Sequence, residues 1–113
     1  MCNQQQVQTV ISDLYRGLQP LFPNSNMEAI LFGSYARGEE DSGSDIDVMV
    51  LVDTPQQEIS QKTWEIGDVA ACILLDRGVV VSPIVENRSY FHKNATLLPF
   101  FRNVAREGVP YYA

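Results

Sequence analysis

The chain has 113 residues, a formal net charge of -6 and 45% hydrophobic residues. That supports the core of one domain and is too short for a catalytic domain plus a full substrate-binding domain. The acidic balance argues against a free nucleic-acid binder, which needs a basic surface against phosphate. With no basic apolar leader and no apolar run of membrane length, the expected setting is soluble and cytoplasmic, with no membrane partner.

Residues 4 to 18 carry Val7, Val10, Ile11, Leu14, Tyr15 and Leu18 at helical spacing, which predicts an amphipathic helix. PLFPNSN (20–26) stops it with prolines and turn residues. MEAILFG (27–33) reads as a short strand, 34–38 as one helical turn and EEDSGS (39–44) as an exposed loop. DIDVMVLVD (45–53) reads as a second strand. Thr54-Pro55 starts a helix expected to run to about Asp76, with Ile59, Ile66, Val69, Ala70, Ile73 and Leu74 facing inward. Arg77-Gly78 ends it. VVVSPIV (79–85) is the third strand, and Pro83, which cannot donate to a ladder, suggests an edge or a bulge. The stretch from Asn87 to Gly108 is mostly helical with a break near Pro99. The order describes one α/β domain over 1–113 with a small sheet. Cys2 and Cys72 suggest neither a disulfide framework nor a metal set, but one terminal and one core cysteine.

The chemistry concentrates at the first two strands. Strand side chains alternate faces, so Asp45 and Asp47 point the same way, about 6–7 Å apart along the strand. Two carboxylates on one face are costly to bury unless a cation lies between them. Hard oxygen ligands suit Mg²⁺, with Mn²⁺ as a substitute. Gly33 and Ser34 stand where a strand turns into a helix, where exposed amides attract phosphate. Ser34 adds a hydroxyl, unless it serves only as a helix cap, and Arg37 adds a positive fork one turn later. Together these parts suit a nucleoside triphosphate, its phosphates on 33–37 and its metal on Asp45 and Asp47.

Residues 30–52, an apolar residue, Gly-Ser, a spacer and Asp-x-Asp, resemble the signature of the polymerase β-like nucleotidyltransferase superfamily. GSYARGEEDSGSDIDVMV most resembles its minimal nucleotidyltransferase (MNT) group. The resemblance implies an α/β (α+β) fold with a mixed three-stranded sheet flanked by helices, dependence on Mg²⁺, and nucleotidyl transfer from ATP. In that family Gly-Ser holds the triphosphate and the two aspartates hold the metals. It also implies a partner. Short MNT proteins are commonly encoded beside HEPN proteins, small all-helical chains that are often ribonuclease toxins. There the MNT member acts as antitoxin, in some systems by moving AMP from ATP to a toxin tyrosine.

The family's third carboxylate, expected on the third strand, has no clear counterpart. The central polar residue of VVVSPIV is Ser82, neutral and a poor proton acceptor. Glu86 just beyond could reach back, and Asp68 and Asp76 on the preceding helix are weaker candidates. Two functions therefore remain: an Mg²⁺-dependent transferase acting on a protein hydroxyl, or a degenerate domain that blocks a partner by contact. A transferase of small molecules such as aminoglycosides ranks last, for want of a second domain. His92 reads as a solvated or capping histidine and Trp64 as core or interface. TLLPFF (96–101) and Tyr111-Tyr112 suggest packing first, and second an interface for a homodimer or a helical partner.

Overall fold

Two strands form the middle of the sheet because each carries buried apolar residues on both of its faces. The computed structural model describes residues 4–38 and 45–111. Cys2, the expected 39–44 loop and Tyr112 lie outside the described residues, as does the side chain of Ser34. The elements are α1 (Gln4–Leu18), β1 (Glu28–Phe32), α2 (Ser34–Arg37), β2 (Ile46–Val52), α3 (Gln56–Ser60), α4 (Thr63–Arg77), β3 (Val81–Asn87), α5 (Arg88–Asn94), α6 (Pro99–Glu107) and β4 (Val109–Tyr111). A 3-10 turn, Gln19–Leu21, follows α1.

The sheet is mixed, in the order β3-β2-β1-β4. β1 pairs antiparallel with β2 and with β4, and β2 pairs parallel with β3. This corrects the expected three strands to four. The short β4 sets Val109 opposite Leu31 and Tyr111 opposite Ala29. Its three residues, one of them Pro110, carry too little alternation to read as a strand; the open edge of β1 supplies the pairing. Both prolines within strands, Pro83 and Pro110, lie on edge strands, where a missing N–H costs least.

The alternation along β2 sorts the core into two layers. Ile46, Val48, Val50 and Val52 join Ala29, Leu31, Val81 and Val85 under α1, α3 and α4. Met49 and Leu51 join Ile30, Phe91, Phe101 and Val104 under α5 and α6. Helix α1 buries Val7, Val10, Ile11, Leu14 and Leu18, as its spacing predicts. The Tyr15 hydroxyl ties three elements together. It accepts the Ala29 N–H at 2.9 Å and lies 3.1 Å from the Tyr111 carbonyl.

The long helix expected from Thr54 to Asp76 is two helices. Ser60 bonds back to the Gln56 carbonyl at 3.1 Å and Thr63 donates to the Ser60 carbonyl at 2.9 Å. The amides of Gln61 and Lys62 close tight three-residue turns. These local side-chain bonds compete with the helical ladder and let the chain turn at 61–62. On α4, Ile66, Val69, Ala70 and Ile73 face the core side, while Leu74 lies roughly a quarter turn away and is exposed. Cys72 is likewise exposed, which corrects its expected place in the core. Gly78 ends α4 in the left-handed region (φ 67°), donating to the Leu74 carbonyl at 2.8 Å.

Ion pairs join the layers at the rim. Arg77 on α4 pairs with Asp13 on α1 and, by that hydrogen bond first, holds the Asp13 carboxyl below its ordinary range. Arg88 at the start of α5 pairs with Asp53 and donates to the Asn26 carbonyl at 2.7 Å. No described helix is long and apolar enough to cross a membrane.

Candidate active site

The site forms at one end of the sheet, on the face shared with α5 and α6. Gly33 follows β1 and opens α2 in the left-handed region, φ 75°. Here the chain turns from β1 into α2 through that conformation, which glycine adopts without a Cβ penalty. The Arg37 amide then donates to the Gly33 carbonyl at 3.2 Å, closing the single turn of α2.

Asp47 is the second residue of β2, opposite Phe32 on β1 and Ser82 on β3. Asp45 stands just before the strand and is exposed, whereas Asp47 is half-buried. Ile46 between them is fully buried in the opposite layer and fixes the rotation of the strand. Gly33 lies against Asp47: a Cβ there would clash with Oδ2 and stand 3.2 Å from Cγ. The turn that would receive phosphate and the carboxylate that would receive a metal are thus neighbours.

Two effects disfavour charge on Asp47. Burial first, and then the Asp45 carboxylate, push the Asp47 pKa up, while Arg37 opposes the rise. Arg37 in turn meets Glu107, at the end of α6, at 3.8 Å. Glu107 is seventy positions away in sequence, and no local pattern marks it. A bound cation would favour the charged form of Asp47 and offset the repulsion between the two carboxylates.

Ser82 occupies the position expected of a third carboxylate. It is in register with Asp47, and its Oγ lies 3.5 Å from Oδ2 of Asp45. Glu86 does not reach this place. It stands opposite Leu51, four residues and about 13 Å further along β3. Burial raises its pKa there, and a hydrogen bond from Gln56 opposes the rise. Asp68 and Asp76 belong to α4, which packs on the other face of the sheet. Among the described residues no group of three or more His, Cys, Asp and Glu side chains gathers. Among the described residues Asp45 and Asp47 could together hold one hard divalent cation, with water and phosphate completing its shell.

An aromatic wall borders the carboxylates. Phe32, beside Asp47, meets Phe100 of α6 edge to face at 5.5 Å between ring centres. Phe100 is 43% exposed and Leu97, in the loop before α6, is 71% exposed. Sequence reasoning marked 96–101 as apolar surplus, but its placement beside Asp47 depends on how α6 crosses β1. His92 lies exposed in the last turn of α5 against Phe91, and takes no part in this cluster.

Comparison with known proteins agrees with this geometry. The nucleotidyltransferase domain family matches residues 11–112. A protein of Methanocaldococcus jannaschii named "Putative protein adenylyltransferase" is 34% identical over 98 residues, covering 87% of this chain and 90% of its own length. A second protein of that organism with the same descriptive name is 32% identical over 81 residues, covering 71% of this chain and 79% of its own. The chain belongs to the nucleotidyltransferase domain family.

Proposed function

We propose that this domain transfers AMP from ATP to a hydroxyl of a partner protein and so acts as the antitoxin of a two-protein pair. The observation that carries this reading is the approach of the Gly33 turn to Asp47, with Asp45 and Arg37 beside them. The amides at the start of α2 and the Arg37 guanidinium orient the triphosphate. Asp45 and Asp47 would hold Mg²⁺, which when bound neutralises charge on the phosphates. The acceptor oxygen bonds to the α-phosphorus as the bond to the bridging oxygen breaks, and pyrophosphate leaves. Ser82 is a poor base at neutral pH, so the hydroxyl proton passes to solvent or to a group on the acceptor. The relatives named protein adenylyltransferase support a protein acceptor, and the exposed ledge of Leu97, Leu98 and Phe100 beside the site suits its docking.

The test is incubation with the product of an adjacent gene, labelled ATP and Mg²⁺, followed by mass spectrometry of both chains. AMP on the partner, absent with Asp47→Asn, is the expected result. The second reading is a binding module, favoured by Ser82 in place of a carboxylate. It stands instead if neither chain gains a nucleotide while wild type and Asp47→Asn neutralise the partner equally.

A further inference from the structure

Helix α4 is apolar on both of its sides. Its inward line packs on α1 and the sheet through Ile66, Val69, Ala70 and Ile73. Its outward line carries Trp64 at 85% exposure and Leu75 at 84%, with Leu74 at 44% beside them. At about 100° per residue, Trp64, Ala71 and Leu75 fall within about 40° of one another, a continuous stripe three turns long. Asp68 is the one charged residue on it. Single exposed apolar residues are ordinary, but large apolar residues lined up along the outward side of a helix mark a face that is covered.

We propose that a second copy of this chain covers the stripe, the two α4 helices crossing antiparallel about a two-fold axis between residues 69 and 70. The stripe is self-complementary about that point. Trp64 and Leu75 are equally distant from it, so each Trp64 meets Leu75 of the other copy, as an isologous contact requires. Gly67 and Ala71 lie near the crossing, where two helices approach most closely, and the large side chains lie where the helices diverge. Trp64 and Leu75 expose on the order of 350 Å² per copy. With the neighbouring Leu74, Ala71 and Cys72, two copies reach the roughly 1,000 Å² that a specific interface buries. Helix α4 covers the sheet face opposite Asp45, Asp47 and Ser82, so the pairing leaves both candidate active sites open.

The stripe's single charge distinguishes a self-pair from other occupants. In the two-fold pair each Asp68 lies near its own copy, so like charges oppose association. Asp68→Asn therefore tightens a homodimer, whereas it weakens docking of a partner that offers a basic residue. The experiment is sedimentation equilibrium of the purified chain from 1 to 300 µM, with tryptophan emission as second readout, since Trp64 is the chain's one tryptophan. The expected results are a concentration-dependent dimer and a blue shift of Trp64 emission as it forms. Leu75→Asp should weaken the dimer at least tenfold, and Asp68→Asn should lower its Kd several-fold. Both positions are exposed, and a circular-dichroism melt checks that each variant folds. A monomer throughout the range, a dimer indifferent to Leu75→Asp, or one weakened by Asp68→Asn would overturn the proposal. So would a blue shift that appears only on adding a different protein.

Discussion

Gly33 and Asp47 are in direct contact, the Cα of one against the carboxylate of the other, so that a Cβ at position 33 would clash with Oδ2. This contact couples the turn to the carboxylate face that we propose holds Mg²⁺. Gly33→Ala meets two penalties: the positive φ of 75°, which costs an L-residue about 1–2 kcal/mol, and the clash with Asp47. The Asp47 side chain is short and can relieve the clash only by turning its carboxylate away. We expect a folded protein, a few °C less stable, whose melting temperature no longer responds to ATP with Mg²⁺. A variant that melts lower but keeps the full ATP response would separate the turn from the site.

The raised pKa of Asp47 makes its charge a liability without a cation. The folded state binds this proton more tightly than the unfolded chain, whose carboxyl titrates near 3.8. Stability is therefore lost as pH rises from that value through the folded pKa, and stays lower above it. Asp47→Asn should raise the melting temperature of the metal-free protein at pH 7 by a few °C, and the gain should vanish below about pH 3.8. The same variant should lose the stabilisation by ATP with Mg²⁺ that is expected of the wild type. Paired thermal melts across pH, with and without ligand, check both signs.

Arg37 opposes the rise in the Asp47 pKa. Arg37→Ala removes that opposition, so deprotonation of Asp47 requires a higher pH. The acidic limb of Mg²⁺ and ATP binding should move to higher pH, in addition to an overall loss of affinity. Isothermal titration between pH 4 and 7 measures the limb, and an unmoved limb would show that Arg37 acts on phosphate alone.

Ser82, in register with Asp47, lies 3.5 Å from Asp45. Ser82→Asp places a third carboxylate on the same face. Without Mg²⁺ it should destabilise the protein by adding like charge. With Mg²⁺ the transfer rate should be preserved or raised, general-base help being worth at most about 10²–10⁴-fold. Ser82→Ala should change the rate little. A large loss with Ser82→Ala would give the serine a role in the reaction that its pKa class does not explain.

The Tyr15 hydroxyl accepts the Ala29 N–H at 2.9 Å. Tyr15→Phe leaves that amide without its partner and loosens α1 from β1 and β4. The expected cost is about 1 kcal/mol, a drop of roughly 4–8 °C in melting temperature, with ATP response intact.

The sequence by itself determined the elements whose signals are local. The spacing of Val7, Val10, Ile11, Leu14 and Leu18 is a helix whatever it packs against, and the β2 alternation puts Ile46 in the core and Asp45 with Asp47 outside it. Gly33 was legible because glycine at a strand-to-helix junction lets the backbone come close to an anion, and its φ of 75° is one that other residues rarely adopt. The motif also sufficed to indicate the family, which the match over residues 11–112 shows. The tertiary structure decided what depends on register and helix phase. It separated Ser82 from Glu86, since parallel pairing of β3 with β2 sets one opposite Asp47 and the other opposite Leu51. It brought Glu107 to Arg37 across seventy positions. It made Val109–Tyr111 a fourth strand because an open edge was available to pair with. The packing of α4 left Leu74, about a quarter turn off the inward line, exposed, and Trp64 and Leu75 uncovered. Hydrophobic periodicity states that a helix has an apolar side, but only the packed chain shows which apolar residues remain exposed to water.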